Sequence, residues 1–356
     1  MKLKREKNYE FGNIDFSNNY YVIKKGKKVP LPSIDEIIKN ARKYSKQNML
    51  SYFIQYLFKK EDEDEDENKN IKNELFESLK DDIFELSQDF YGNYVIQEII
   101  NLKDKEKNDF IYNKFIDNDI VMLSCQKYGC RVLQKLMNYI DKEKIKLILE
   151  KIKNKLYELI TNQNGYYVIQ KIIEKLDGEI DDIYNEVFTN LDKLLNNENP
   201  YGSFIIQEIL KKINDEKKKE NIIKEIFQNN IENLCKNIYN NHILKFILEN
   251  NDKYIDFIFQ QIKDKIYELA KDNYALYVIE TLLIKGNKEQ KKQILNEIIE
   301  VDKDNNNDYD NDKYIEEIIE HEHLINEEII KDIFVRIKNN VPNILIKDIN
   351  FIFIKK

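Results

Sequence analysis

The sequence predicts an all-α solenoid of stacked helical units. A short pattern recurs eight times at near-constant spacing. Its apolar positions fall on one face of a helix, and helix breakers are scarce. The clearest copies are Tyr91-Gly92-Asn93-Tyr94-Val95-Ile96-Gln97 and Tyr128-Gly129-Cys130-Arg131-Val132-Leu133-Gln134. Taking the residue after the Tyr-Gly pair as position 1, the anchors are Ser51, Asn93, Cys130, Tyr166, Ser203, Asn241, Leu276 and Asp312. Successive anchors lie 42, 37, 36, 37, 38, 35 and 36 residues apart. A fixed period in this range is the mark of a repeat architecture whose units cannot bury their apolar faces alone.

Positions 3, 4, 7 and 8 are apolar in every copy, for example Val95, Ile96, Ile99 and Ile100 in the second and Tyr314, Ile315, Ile318 and Ile319 in the eighth. That spacing is one stripe of an α-helix facing a core. Five copies carry a Leu eleven residues before position 5: Leu86, Leu123, Leu159, Leu234 and Leu269. Each places the end of a preceding helix against the first, so a unit reads as helix, short polar turn, helix. Positions 1, 2 and 5 are then left on the open side, with 1 and 5 one turn apart on the same face. Position 2 is Tyr52, Tyr94, Arg131, Tyr167, Phe204, His242, Tyr277 and Lys313. Five of these eight are aromatic, against about one expected from an aromatic content of 12%.

The 356 residues accommodate eight units with an N-terminal segment and cap at about 1–40, repeats over 41–320 and a C-terminal cap over 321–356. Only 4 Pro and 8 Gly are present and Trp is absent, which suits a helical chain. The net charge is -8, but Glu61 to Glu67 are seven consecutive acids. They fall in the one long step between anchors and read as a solvated loop insertion at about 60–70. Without them the balance is -1, a poor match to binding by phosphate neutralisation and a better one to binding that reads bases.

Cys125, Cys130 and Cys235 form no CxxC pair, and sparse Cys points to a reducing compartment. His321 and His323 are two apart and point to different sides of a helix, so no metal site is expected there. Met1 to Asn8 is basic without an apolar run after it, so no secretory signal is expected. No stretch approaches the ~20 apolar residues of a membrane span. Neither a nucleophile elbow, a phosphate-cradling Gly loop nor HExxH is present. The expectation is a cytoplasmic, non-enzymatic monomer without a cofactor.

The motifs Asn-Tyr-x-x-Gln at Asn93 to Gln97 and Cys-Arg-x-x-Gln at Cys130 to Gln134, each after Tyr-Gly, resemble the base-reading helices of Pumilio (PUF) RNA-binding repeats. The resemblance covers about residues 30 to 320. It implies a right-handed superhelical solenoid of eight repeats whose concave face binds single-stranded RNA, one base per repeat, with the RNA 5′ end at the last repeat. It further implies action on mRNA 3′ untranslated regions, giving post-transcriptional repression through deadenylase or translation-repressing partners on the outer face. A nucleolar relative that binds pre-rRNA in ribosome assembly, or an armadillo-like protein-binding scaffold, are the other readings.

Read as such repeats, the side chains at positions 1 and 5 reach a base edge while position 2 stacks on base faces. The edge readers are Ser51 with Gln55, Asn93 with Gln97, Cys130 with Gln134, Tyr166 with Gln170, Ser203 with Gln207, Asn241 with Lys245, and Leu276 with Glu280. Asn93 and Gln97 complement uracil. Small residues with Gln (Ser51, Cys130, Ser203) leave room for adenine. Glu280 is acceptor-only and suits guanine. Tyr166 is bulky and matches no obvious base, and Lys245 donates only. The eighth set, Asp312, Lys313 and Glu316, has no clear assignment. Written from repeat eight to repeat one, with U at the first place supplied by the resemblance, the RNA is UGUANAUA.

Overall fold

The computed structural model describes residues 10–13, 20–24, 27–60, 65–196 and 198–298. They divide into two units, Met1–Glu186 and Val187–Lys356. The anchor at Asp312, the C-terminal cap and the pair His321 and His323 lie outside the described residues, as does the start of the acidic run.

The first unit opens with three antiparallel strands, β1 (Glu10–Asn13), β2 (Tyr20–Lys24) and β3 (Lys27–Pro30). Phe11 pairs with Val22, and Val22 with Val29. Tyr20 and Val22 share one face of β2 by the two-residue period of a strand, and both are buried. The Tyr20 ring lies 5.1 Å from that of Phe53, an apolar residue of the first repeat. The helical reading assigned no strand to this segment. Its strands are only four or five residues long, so a period-two pattern has little length in which to declare itself.

The remainder is helical, and each repeat holds three helices where the sequence suggested two. In the third repeat these are Lys105–Ile116, Ile120–Cys125 and Gly129–Leu136. In the fourth they are Lys142–Ile152, Leu156–Thr161 and Gly165–Leu176. The extra element is a six-residue helix that carries the recurrent Leu. In the second unit the sixth repeat follows the same order, Glu216–Ile226, Ile231–Lys236 and Asn241–Asn250. The seventh ends in Leu276–Lys285, against which Lys288–Ile298 packs.

Aspartates start the long helices. The carboxylates of Asp104, Asp141 and Asp215 accept from the backbone N–H of Lys107, Lys144 and Lys218, which would otherwise lack a partner. The apolar stripe at positions 3, 4, 7 and 8 is the core in all seven described repeats, with no member more than 3% exposed. On the other side of each unit, ion pairs tie one repeat to the next. Lys114 meets Asp81 at 3.2 Å and Lys146 meets Glu179 at 2.8 Å, with Lys144 on Asp109 beside them. In the second unit Lys253 meets Glu220 at 3.6 Å and Lys265 pairs with Glu232. All lie at or near the surface, where such a pair contributes ~0.2–1 kcal/mol. Their larger consequence is that these lysines are already neutralised. Among the described residues no helix is long and apolar enough to cross a membrane.

Candidate nucleic-acid interface

The last helix of each repeat, here the reading helix, carries the recurrent pattern and begins at a Tyr-Gly pair in repeats two, three and five. Its entry is built by an Asx turn. Asp89 Oδ1 accepts from the N–H of Tyr91 and of Gly92, both at 2.8 Å. Asn162 does the same for Asn164 and Gly165, Asn237 for Tyr239 and Asn240, and Asp272 for Tyr274 and Ala275. These residues stand four places before position 1. They aim the reading helix, and the sequence reading passed over them although Asp or Asn recurs there in five of the seven described copies.

Glycine follows because of space. A Cβ on Gly92 would lie 2.8 Å from the Leu86 carbonyl oxygen, and one on Gly129 would lie 2.6 Å from that of Leu123. The recurrent Leu and the recurrent Gly are thus two sides of one contact, which seats the reading helix on the short helix before it.

The structure places the edge-reading pairs differently from the open arrangement expected. Ser51, Asn93, Cys130, Tyr166, Ser203, Asn241 and Leu276 are all buried. Asn93, Ser51 and Asn241 turn inward onto backbone carbonyls at the start of the helix. Asn93 Nδ2 donates to the carbonyls of Asp89 and Phe90 at 2.8 and 2.9 Å. Ser51 Oγ donates to Asn48 O at 2.9 Å, and Asn241 Nδ2 to Asn237 O at 2.7 Å. The Cys130 thiol, pushed up to about 11 by burial, stays protonated and donates to Lys127 O at 3.6 Å.

Position 5 is the more open partner. Gln97, Gln134, Gln170, Gln207, Lys245 and Glu280 are half-buried, whereas Gln55 is buried. Gln97 Nε2 donates to Asn93 Oδ1 at 3.0 Å, which couples the two members of that pair and leaves the Gln97 carbonyl oxygen to face outward. Gln134 and Gln207 instead anchor their amides on the carbonyls of Cys130 and Ser203, at 3.0 and 3.3 Å. In the sixth repeat Lys245 does not make the bond that Gln97 makes, its ammonium being turned toward Glu249. Asn241 Oδ1 is left buried without a hydrogen-bond partner, and the Lys245 ammonium sits 3.7 Å from Glu249 and 6.0 Å from the Tyr277 ring centroid.

Position 2 provides the exposed flat surfaces. Arg131, Tyr167, His242 and Tyr277 are exposed, and Tyr52, Tyr94 and Phe204 half-buried. Tyr167 is 45% and Tyr277 40% exposed, unusual for large rings. In the first unit the Tyr167 ring lies on the Tyr166 ring, with centroids 3.9 Å apart. Tyr166 therefore backs the exposed Tyr167 ring and fills the place that a small side chain holds in the first, third and fifth repeats. In the second unit the rings of His242 and Tyr277, from consecutive repeats, are 6.3 Å apart and only 25° from parallel. Partial burial, with the Lys245 charge nearby, holds His242 below its ordinary value.

Several reading-helix lysines are paired with acids: Lys171 with Glu174 at 2.8 Å, Lys211 with Glu208 at 3.0 Å, and Lys59 with Glu98 at 2.9 Å. What the helices offer a ligand is amides and ring faces more than net positive charge. Among the described residues no group of three His, Cys, Asp or Glu could hold a metal ion.

A family model for the Pumilio-family RNA binding repeat matches residues 82–114, 119–153, 155–188, 199–227 and 265–299. Pumilio homolog 12 of Arabidopsis thaliana is 23% identical over a match that covers 42% of this chain and 32% of that protein, so the match spans about a third of the relative's length. Among solved structures, the Puf3 RNA binding domain bound to the Cox17 RNA 3′ UTR recognition sequence site B is 26% identical. The similarity covers 86% of this chain and 88% of that one, with a TM-score of 0.68. PUF-8 in complex with PBE-RNA, at 21% identity, shares the fold over 86% of this chain and 94% of its own, with a TM-score of 0.66.

Proposed function

This chain is a Pumilio-family repeat protein, and from that premise we propose that it binds single-stranded RNA in a sequence-specific manner, one base per repeat. The observation that carries the reading is the recurrence, on the reading helices, of an exposed or half-buried flat side chain at position 2 with a polar group one turn from position 1. Tyr167 and Tyr277 have no structural need to stand so exposed, and stacking on a base is worth ~1–3 kcal/mol for each such ring. The edge groups beside them, Gln97, Gln134, Gln207 and Glu280, differ in donor and acceptor character, which is what distinguishing bases requires.

The preferred RNA is of the type UGUANAUA, and the function is repression of mRNAs carrying that element in their 3′ untranslated regions. The protein acts in the cytoplasm, as a binding module and not as an enzyme. The neighbour bound to a 3′ UTR recognition sequence supports the substrate class. Selection from a random single-stranded RNA pool with the purified protein tests it. Enrichment of a short linear motif containing UGUA is the expected result. Enrichment of structured RNA without a linear motif, or no enrichment, overturns the reading.

A further inference from the structure

In repeats two to five the residue before position 1 is glycine: Gly92, Gly129, Gly165 and Gly202. In repeat six it is Asn240, which is only 2% exposed. Its carboxamide does not serve its own repeat. Nδ2 donates to the backbone carbonyl of Leu195 at 2.7 Å, and Oδ1 accepts from the Ser203 hydroxyl at 2.6 Å. Both partners belong to repeat five, and Ser203 is that repeat's position 1, itself 2% exposed.

This reverses the default chemistry of a small position-1 side chain. Ser51 and Cys130 donate to the carbonyl three residues back in their own repeat. Ser203 has the same option in Pro200 O, which accepts from the N–H of Phe204 at 3.1 Å. It donates to Asn240 instead. The Asn240 amide cannot be turned over, because its nitrogen must meet Leu195 O. Its oxygen therefore faces Ser203, and the hydroxyl proton is committed to it. What Ser203 retains is lone pairs.

Resting on the reading that repeat five meets a base, we propose that Asn240 is a specificity-determining positioning residue for the neighbouring repeat. By taking the Ser203 proton it makes position 1 of repeat five an acceptor only. Adenine and guanine share the purine ring system, and among their differences is C6, where adenine bears an N–H donor and guanine a carbonyl acceptor. An acceptor-only Ser203 accepts the first and is repelled by the second. A hydroxyl free to rotate would tolerate both. Asn240 thus sharpens adenine over guanine at the fourth base of UGUANAUA without touching the RNA.

The test compares the affinities of wild-type, Asn240→Gly and Asn240→Asp proteins for UGUANAUA RNAs with A or G at the fourth base, and with A or G at the sixth as control. Glycine restores what repeats two to five carry. It should reduce the A-over-G ratio at the fourth base about fivefold, the equivalent of one ordinary hydrogen bond, and leave the ratio at the sixth unchanged. Aspartate keeps an acceptor for Ser203 while losing the donor to Leu195, so the ratio should survive even where the melting temperature falls. A fourth-base ratio unchanged in Asn240→Gly, or affinity lost equally for every RNA, overturns the proposal and leaves Asn240 a structural tie. Wild-type protein that ignores the fourth base while still discriminating at the sixth overturns it too. Absence of discrimination at both positions overturns the base-reading function itself.

Discussion

Gly129→Ala isolates the contact on which the geometry of the third repeat depends. The residue opens the helix Gly129–Leu136 with an ordinary helical backbone, so alanine meets no conformational obstacle. Helix propensity alone would make the substitution favourable by up to ~1 kcal/mol. The space is missing. The new Cβ would stand 2.6 Å from the Leu123 carbonyl oxygen, 2.6 Å from Leu123 Cδ1 and 3.1 Å from Leu123 Cγ. One neighbour is backbone and cannot swing aside, so the reading helix must lift by roughly an ångström to restore normal contact. Overpacking of this kind costs ~1–3 kcal/mol, enough to outweigh the propensity gain.

Thermal and urea melts of Gly129→Ala should therefore show net destabilisation by ~1–2 kcal/mol. The control is in the seventh repeat, where Ala275 occupies the equivalent place and is fully buried. Ala275→Gly should also destabilise, by up to ~1 kcal/mol, through added freedom in the unfolded chain. Opposite substitutions at equivalent positions would then both weaken the protein, one through space and one through entropy. A Gly129→Ala protein that melts higher than wild type would refute the close seating of the reading helix on Leu123.

Three further outcomes follow from the interface. The double variant Asn93→Ser with Gln97→Glu replaces an amide pair with a small hydroxyl and an acceptor-only carboxylate, so preference at the seventh base should pass from U to G by ~1–3 kcal/mol. Binding titrations with U and G RNAs check this, and equal binding of both by both proteins removes residues 93 and 97 from base reading. The paired lysines on the reading helices predict a shallow salt dependence. At ~0.7 in the log–log slope for each phosphate neutralised, a slope matching one contact per nucleotide contradicts a base-led interface. His242 gives a pH signature. Its folded-state value lies below 6.5, so the unfolded chain takes the proton first. Stability from this group is intact above the ordinary value and is lost as pH falls through and below it. Melts between pH 8 and 5 should show a steeper acid loss in wild type than in His242→Gln, and parallel curves would exclude the effect.

The repeat register was legible because two periods are superposed in the chain, one of about 37 residues and one of a helix face. The core residues at Val95, Ile96, Ile99 and Ile100 needed nothing more. Other features were written there without being read. Asp89, Asn162, Asn199, Asn237 and Asp272 recur at one offset, yet short polar residues in a loop blend into a chain so rich in Asn and Asp. The six-residue helix around Leu123 is too short to show a periodicity of its own. The burial of position 1 was not legible at all. It comes from hydrogen bonds to backbone carbonyls at the start of the reading helix, and those partners are in place only once the chain has folded.

That last point changes how a base-reading pair works. Position 1 and position 5 lie one turn apart, and equal roles for them would suit that spacing. The structure instead gives position 1 two tasks: it satisfies the loop carbonyls beneath it, and it sets what position 5 or its own remaining lone pairs can present. Asn93 takes the amide of Gln97, so Gln97 shows its oxygen. Lys245 has no such coupling to Asn241, whose oxygen is left buried and unpaired. Ser203 passes its proton to Asn240 in the next repeat. On the proposed base-reading function, the preference of a repeat would therefore not be a property of two letters alone. It would depend on where the buried partner sends its hydrogen, and in repeat five that hydrogen goes to a residue of repeat six.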